Sequence, residues 1–375
     1  MAFRVQTVLI APETGQYAGG AQPPIEITRI AESARVAERL GFDGITVPEA
    51  GHDPFLPLAI AAEHTERVSL GTNVAVAFPR SPMVTAQLSW DLQQLSGGRF
   101  ELGLGTQVRS HVERRYATEW TGPPGPRLAD YVRCVTAMFD TFATGAKPAF
   151  ESDSYRFTLM NQLFNPGPID HPHVPIHLAA VNPYMARLAG ELCAGLRVHP
   201  VATLRYVREV VLPAVAAGAE LAGRSPADID IIGAPFLALG RNPAEVDAAR
   251  EALKRHIAFY ASTPTYHAVL EYHGWADIGQ ELHAMSREGR WSEMPSRISD
   301  EMLDEWALVA TCDDLATVIA ERCTGIYSTI LLDLPSALRA DQDFVGATVK
   351  ALQGDRPGSA GDPNINPTAT ALQAN

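Results

Sequence analysis

Short β-rich runs alternate with amphipathic helical patterns eight times along this chain. The strand-like runs occupy residues 5–11, 44–47, 68–77, 100–104, 175–181, 195–199, 229–239 and 327–334. Alternation of this kind favours a parallel sheet built from β-α units. An open doubly wound sheet rarely contains eight alternations in one domain, so the pattern predicts an α/β fold of the closed (β/α)8 TIM-barrel type.

Two segments depart from this alternation. A Trp-containing region at about residues 262–305 has the pattern of a helical insertion, and residues 354–375 are rich in Gly, Pro, Asn, Ala and Thr. The tail has almost no bulky apolar residues to offset its ordering entropy, so we expect it to be disordered or to clasp a partner. Residues 1–353 are expected to form a single domain, because such barrels grow by insertion from about 250 residues.

The charge and the apolar runs limit the possible partners. The formal net charge is −13 at pH 7, so the field of the protein repels nucleic acid and anionic membrane surfaces. The first apolar run ends at Pro12 and is too short for a signal peptide, and no run approaches the ~18 apolar residues of a membrane span.

The four cysteines have no metal-ligand spacing, so no metal is expected. We expect a cytoplasmic protein with a small-molecule substrate.

In a (β/α)8 barrel the active site lies at the carboxyl ends of the strands. That rule selects the residues that end or follow strands two to six. They are Glu49 and His52, then Asn73 and Val74, then Gly105, Thr106, Gln107 and Val108, then Ala180, Val181, Asn182 and Pro183, and finally His199.

The junction after the fifth strand has two interpretations. Asn182 can cap the next helix, and Pro183 suits its first turn. A helix N-terminus also attracts anions, so a cofactor phosphate could bind there. An ordinary capped helix without a ligand explains the same two residues.

The glycines of the fourth strand do not form a nicotinamide site. Gly103 and Gly105 begin a G-x-G-x-x-G pattern, but Val108 stands at its third position. No acidic residue about 20 positions further on closes a strand, which excludes a Rossmann fingerprint. These glycines either allow the backbone to approach a flat ring or pack tightly inside the barrel.

The histidines near strand ends also leave alternatives open. His52 and Asp53 could be an acid–base pair, yet adjacent residues rarely face one another and Asp53 before Pro54 suits a helix N-cap. His199 is either a proton donor or a packed histidine.

Six short motifs follow one another along the first half of the chain. They are Gly41-Phe42-Asp43-Gly44, Glu49 with His52-Asp53-Pro54, Leu70-Gly71-Thr72-Asn73-Val74, Arg80-Ser81-Pro82, Gly97-Gly98-Arg99-Phe100-Glu101-Leu102-Gly103-Leu104-Gly105 and Ile176-His177-Leu178-Ala179-Ala180. In this order, the motifs resemble the bacterial luciferase-like monooxygenase superfamily. The Trp275 region and residues 306–334 resemble its coenzyme F420-dependent branch.

The resemblance implies an oxidoreductase that transfers a hydride between the C5 of F420, a deazaflavin, and a small organic substrate. The alternatives are an FMN-dependent monooxygenase that uses reduced flavin and O2, and a non-catalytic flavin-binding protein. We also expect a homo-oligomer, namely a dimer. The proton relay is expected from His52, Glu49 and His199, in that order, and an apolar pocket or plain core from Phe78, Trp275 and Trp306.

The resemblance also assigns the cofactor contacts. It implies a non-prolyl cis peptide at Asn73-Val74 behind the cofactor ring. It places the phosphate and chain contacts at Thr106, Gln107 and Val108 and at Ala180, Val181 and Asn182.

One branch of the superfamily fits poorly. Its sugar-phosphate dehydrogenases have an Asp-His pair where this chain has Glu49 and Ala50, and an acid where it has Val108. These departures argue against glucose-6-phosphate oxidation.

Overall fold

The computed structural model describes residues 2–9 and 27–354 of the chain. The strands are β1 (Arg4–Val8), β2 (Gly44–Val47), β3 (Ser69–Thr72), β4 (Ala75–Val76), β5 (Phe100–Gly105), β6 (Phe150–Glu151), β7 (Arg156–Phe157), β8 (Ile176–Ala180), β9 (Gly195–Val198), β10 (Asp230–Gly233), β11 (Phe236–Gly240), β12 (Ala307–Thr311) and β13 (Thr329–Leu331).

The helices lie between these strands. They are α1 (Ile30–Arg39), α2 (Phe55–Ala62), α3 (Pro82–Leu95), α4 (Arg109–Arg114), α5 (Pro124–Thr144), α6 (Pro183–Leu192), α7 (Leu204–Tyr206), α8 (Leu212–Leu221), α9 (Pro243–Ala261), α10 (His267–Tyr272), α11 (Ala276–Arg287), α12 (Asp300–Trp306), α13 (Leu315–Cys323), α14 (Ser336–Arg339) and α15 (Gln342–Gln353). A π-helical turn at Val207–Val211 joins α7 to α8. None of the described helices is long and apolar enough to cross a bilayer.

Eight parallel strand positions close into one barrel, which confirms the predicted fold. Their order is β1, β2, β3, β5, β8, β9, β10 and β13, with β13 paired back to β1 and β4 continuing the line of β3. Pairing of Leu70 in β3 with Phe100 in β5 completes the ring. Each of the eight predicted runs contains one of these strands. The end of the first run, at Ala11, and the tail beyond residue 354 lie outside the described residues.

The seventh run was predicted as one strand and is two. Residues 229–239 are interrupted at Ala234 and Pro235, and β11 beyond them leaves the barrel to pair in parallel with β12. Pro235 has no N–H group for a ladder hydrogen bond, which explains the break. The strand at Ala307–Thr311 was not predicted, because it follows α12 without an intervening loop.

The helical character of the predicted insertion is confirmed by α10, α11 and α12. The indole N–H of Trp306 donates to the carbonyl of Val201 at 2.6 Å, and the Trp275 ring lies 5.1 Å from that of Trp306. Trp306 is 3% exposed and Phe78 is 4% exposed, so both belong to the core. The insertion is therefore anchored just beyond β9.

A cluster of charged side chains fills the amino-terminal end of the barrel. This basal charge cluster consists of Arg4, Glu101, His177, Arg197 and Asp230. Glu101 accepts from Arg4 and Arg197, each at 3.1 Å, and Arg4 also reaches Asp230 at 3.4 Å. Burial by itself raises the pKa of Glu101, but the two arginines outweigh it and hold that pKa well below its ordinary value. Burial, aided by Arg197, lowers the pKa of His177 to about 4, so its ring is neutral. The amino-terminal end of such a barrel serves stability rather than catalysis.

Candidate active site

The barrel brings the predicted site residues to one mouth. They follow the carboxyl ends of β2, β3 with β4, β5, β8 and β9, and these strands are consecutive neighbours around the barrel. Carboxyl ends of parallel strands meet at the same face, so the residues form one continuous arc. We call it the mouth arc. It runs from Glu49 and His52 at one end to His199 at the other.

The middle of the mouth arc is small and apolar. The peptide between Asn73 and Val74 is cis, as the resemblance implies. A Cβ atom placed on Gly105 would lie 2.7 Å from Cγ2 of Val74 and 3.7 Å from Cβ of Ala179. Val74 and Ala179 are half-buried, so their side chains and the bare backbone of Gly105 form a partly exposed apolar floor. A floor without polar side chains fits one face of a flat aromatic ring system.

The neighbouring glycine serves packing. A Cβ on Gly103 would collide with the carbonyl oxygen of Thr72. Thr72 also donates through its hydroxyl to the Gly103 carbonyl at 2.6 Å and accepts from the Gly103 N–H at 2.9 Å. Of the two interpretations of the glycines, tight packing inside the barrel therefore applies to Gly103.

The loop after β5 is held by its own side chain. Gln107 has a φ of 58°, and its amide oxygen accepts the N–H of Val108 at 2.9 Å. Thr106, Gln107 and Val108 are all half-buried at the mouth. The six-residue helix α4 follows, unlike the long helix of a dinucleotide-binding unit.

Asn182 behaves as an ordinary helix cap. Its side-chain oxygen accepts the N–H of Met185 at 2.9 Å, and Pro183 has no N–H to offer. Among the described residues this leaves Tyr184 as the first-turn N–H without a partner in α6. The helix start thus presents one backbone donor to a ligand, fewer than an uncapped helix would.

Glu49 is bound by three donors. One carboxylate oxygen accepts from the N–H of Val76 at 2.7 Å and from Arg80 at 2.5 Å. The other accepts from the hydroxyl of Tyr116 at 2.7 Å. The Glu49 side chain is 5% exposed. These bonds suit an ionised carboxylate, and they fix the end of β2 to β4 beside the cis peptide.

His52 and Asp53 do not pair with each other. Asp53 accepts the N–H of Phe55 at 2.8 Å through one oxygen and binds Arg80 at 2.6 Å through the other. Asp53 is therefore the cap of α2 and part of the ion pair with Arg80. His52 is half-buried and has no hydrogen bond to any other residue in the ranges 2–9 and 27–354. Its ring is available to a ligand at the mouth.

His199 has a defined protonation state. Its Nδ1 accepts the N–H of Val201 at 3.1 Å, so the proton of the neutral ring is on Nε2. Burial, with a contribution from His256, lowers the pKa of His199 to about 3. The imidazole therefore stays neutral at physiological pH and can act as a hydrogen-bond donor through Nε2.

Two tyrosines that sequence reasoning missed surround His199. The Tyr266 ring stacks on the imidazole at 4.8 Å, with its hydroxyl oxygen 3.4 Å from Nε2, and Tyr260 meets it edge-on at 4.8 Å. Tyr266 belongs to the insertion and Tyr260 to α9. The aromatic residues at the start of the insertion were the available signal, but nothing in the sequence places them against β9.

The described residues contain no group of three His, Cys, Asp or Glu side chains arranged to hold a metal ion. The chemistry that the mouth arc itself offers is hydrogen bonding and proton transfer beside an apolar floor.

Sequence relatives span most of the chain. The family described as luciferase-like monooxygenase matches residues 6–327. The uncharacterized protein Rv1360 of Mycobacterium tuberculosis is 41% identical over 327 residues, which cover 87% of this chain and 95% of that protein. A 5,10-methylenetetrahydromethanopterin reductase of Methanolobus tindarius is 28% identical over 306 residues, covering 80% of this chain and 88% of the reductase.

Solved structures share the fold. The coenzyme F420-dependent tetrahydromethanopterin reductase of Methanopyrus kandleri superimposes with a TM-score of 0.71 at 21% identity, over 93% of this chain and 98% of the reductase. An EDTA monooxygenase from Chelativorans gives a TM-score of 0.67 at 14% identity, over 94% of each chain. With the family match and the 41% identical relative, these findings establish that the chain belongs to the luciferase-like monooxygenase family.

Proposed function

We propose that this protein is an F420-dependent oxidoreductase that acts on a small organic substrate at the mouth of the barrel. The observation that carries the proposal is the apolar floor of Val74, Gly105 and Ala179 within the mouth arc. Its surface suits the ring of a deazaflavin. Support for this cofactor over a flavin comes from the relatives, since one structural neighbour is an F420-dependent reductase and a sequence relative is a methylenetetrahydromethanopterin reductase.

Each part of the mouth arc has a role in this proposal. Asn73, Val74, Gly105 and Ala179 support the ring, while the chain and phosphate are held at 106–108 and 180–183. When bound, F420 supplies a hydride donor and acceptor at C5. The protein's own contribution is to orient the substrate, exclude water and move a proton.

His52 is the first candidate to move that proton, because its ring is accessible and unengaged by the described residues. Glu49 has a different task in this proposal. With both oxygens bound by Val76, Arg80 and Tyr116, it fixes the segment after β2 that also carries His52.

The alternative with the same fold is an FMN-dependent monooxygenase, which the EDTA monooxygenase neighbour favours. It differs in cofactor, because oxygen activation needs a true flavin. A non-catalytic flavin-binding protein is the third possibility, and it predicts cofactor binding without turnover of any substrate.

Equilibrium binding of F420 and FMN to the purified protein tests the proposal. We expect F420 to bind about tenfold or more tightly than FMN, a difference of about 1.4 kcal/mol. Gly105→Val fills the apolar floor and is expected to weaken F420 binding by at least about tenfold. Gly346→Ala, in α15, is the control, because among the described residues a Cβ there meets only Leu40, at an ordinary contact distance of 3.6 Å.

Circular dichroism verifies that Gly105→Val is folded. Tighter binding of FMN than of F420 would overturn the assignment in favour of the monooxygenase. Unchanged F420 affinity in folded Gly105→Val would remove the apolar floor from the cofactor site.

A further inference from the structure

The carboxyl ends of β10, β13 and β1 lie at the mouth of the barrel but outside the mouth arc. These three strands are consecutive neighbours, and β10 also pairs with β9, the strand that His199 follows. The mouth arc therefore continues into this segment, which we call the closing rim. Its residues are Val8, Ile232, Ala234, Leu331 and Asp333. The roles assigned above use none of them.

Four side chains of the closing rim are apolar. Val8, Ile232 and Leu331 form a buried cluster separate from the main hydrophobic core, and Ala234 packs against it. The hydroxyl of Thr329 donates to the basal charge cluster inside the barrel at 2.9 Å. Leu331 is two residues further along β13 and faces the same way, because side chains alternate along a strand. The closing rim thus has an apolar inner wall on the mouth side of the charged cluster.

Asp333 stands above this apolar wall. The N–H of Leu332 donates to the carbonyl of Gln6 at 2.8 Å, so the chain continues alongside β1 past the end of β13. Asp333 therefore projects to the same side as Leu331. Its side chain is 43% exposed, yet burial raises the pKa of its carboxyl, and Arg339 opposes that rise. A carboxyl that solvent reaches but the surrounding protein partly desolvates lies in a recess.

The partner of Asp333 occupies only part of its carboxylate. Nη2 of Arg339 contacts Oδ1 of Asp333 at 3.2 Å and also donates to the carbonyl of Leu334 at 2.8 Å. Within residues 2–9 and 27–354, Oδ2 of Asp333 makes no hydrogen bond. Water screens an exposed pair of this kind, so Arg339 does not cancel the charge of Asp333. The carboxylate can accept a second donor.

The adjoining end of the mouth arc supplies aromatic surfaces. Tyr266 stacks on the ring of His199, and Tyr260 meets that ring edge-on, each with 4.8 Å between ring centroids. The lowered pKa of His199, about 3, keeps its imidazole neutral. A neutral ring brings no positive charge that would compete with a cation for the nearby carboxylate.

The strand register sets the size of the opening. Gly233 of β10 pairs with Val198 in β9 and with Ile330 in β13, so these three residues lie at one level. Neighbouring strands are about 4.8 Å apart, which places β9 and β13 about 10 Å apart. Asp333 is three residues beyond Ile330 and His199 is one beyond Val198, a difference of about 7 Å along the strands. The two Cα atoms are therefore about 12 Å apart, and a small organic molecule fits between their side chains.

We propose that the closing rim binds a substrate amine, with the ammonium group at Asp333 and the apolar body of the molecule against Val8 and Leu331. This inference rests on the proposed function, which it deepens by naming the substrate class. A hydrogen bond between an ammonium and a carboxylate is about twice as strong as one between neutral groups. The apolar wall below disfavours a second polar group, because a polar group buried there would lack a partner. The aromatic rings around His199 favour a cation over an anion.

The first test compares two molecules of nearly the same shape. The probes are 2-phenylethylamine, which is positively charged at pH 7, and 2-phenylethanol, which is uncharged. Equilibrium dialysis measures their binding to the purified protein, first without cofactor and then with saturating F420. We expect the amine to bind at least about tenfold more tightly than the alcohol under both conditions. Equal affinities would overturn the recognition of charge.

The second test locates the charge that is recognised. Asp333→Asn keeps the shape of the side chain and removes its charge, so it is expected to weaken amine binding at least about tenfold and to leave alcohol binding unchanged. Asp153→Asn is the matched control, because it removes the same charge from an exposed position between β6 and β7. It is expected to bind the amine as tightly as the wild type does. Equal losses in the two variants would reduce the effect to the net charge of the protein.

The outcomes separate this inference from the proposed function. Failure of the wild type to bind F420 overturns the proposed function, whether or not the amine binds. F420 binding together with unchanged amine affinity in Asp333→Asn overturns the amine site alone. Loss of amine binding when F420 saturates the protein would assign the closing rim to the cofactor and overturn its role in substrate binding.

Discussion

Replacement of Glu101 by glutamine tests the basal charge cluster. The substitution keeps the shape of the side chain and removes its charge. Glu101 accepts three hydrogen bonds, from Arg4 and Arg197 at 3.1 Å and from Gln6 at 3.2 Å. Glutamine offers one oxygen and an N–H2 group, so at least one arginine would face another donor. Arg197 is 3% exposed and would have no carboxylate in hydrogen-bond contact within residues 2–9 and 27–354.

The size of the effect follows from the geometry. At 3.1 Å and an effective dielectric constant of about 20, the attraction between Glu101 and Arg197 is about 5 kcal/mol. Much of that attraction offsets the cost of moving both charges out of water. Removal of one partner from a buried pair typically costs about 3–5 kcal/mol, because the remaining charge stays buried. We expect Glu101→Gln to lower the free energy of unfolding by about 4 kcal/mol.

Urea denaturation at pH 7 measures this difference. Glu113→Gln is the control, because Glu113 pairs with Arg109 at 2.9 Å on the surface and both side chains are exposed. Its loss should be less than about 0.5 kcal/mol. A loss below about 1 kcal/mol for Glu101→Gln would refute the reasoning, since the cluster would then be as well solvated as a surface pair.

The remaining predictions concern pH, a helix cap and the proton relay. Because the pKa of Glu101 is held below its ordinary 4.5, its stabilising contribution is complete above that pH and should decline as pH falls below it; acid titration of unfolding in Glu101→Gln should lack this component. Asp53→Ala should cost about 1 kcal/mol through the lost α2 cap, because the exposed ion pair with Arg80 adds little, and a loss above about 3 kcal/mol in urea denaturation would contradict this. His52→Asn should lower kcat by about 10²-fold at unchanged F420 affinity, and intact turnover would exclude His52 from the relay.

The sequence predicted the barrel because the pattern of buried residues repeats within each single strand and helix. A parallel strand buried on both faces leaves a continuous apolar run, and a helix that covers it leaves a period of 3.6 residues. Both patterns can be recognised in the sequence without knowing which strands and helices pack together. The rule that active sites occupy the carboxyl ends of barrel strands then gathered residues from Glu49 to His199 into one mouth arc.

The exceptions have physical causes. The seventh run breaks at Pro235, and the strand β11 beyond it pairs with β12, about 70 residues later. Local periodicity cannot distinguish a strand that stays in the barrel from one that leaves it. A proline inside a β-rich run was the one available warning.

The sequence by itself determined the eight β-α units, the mouth arc and the cis position at Asn73-Val74, the last through family resemblance. Only the tertiary structure decided what each polar side chain does. It bound Glu49 to Arg80, neutralised His199 by burial and brought Tyr266 from the insertion onto it. The physical reason is the separation along the chain over which each effect acts. Periodicity reports how neighbouring residues share a face, whereas hydrogen bonds and protonation depend on distances between residues far apart in the chain.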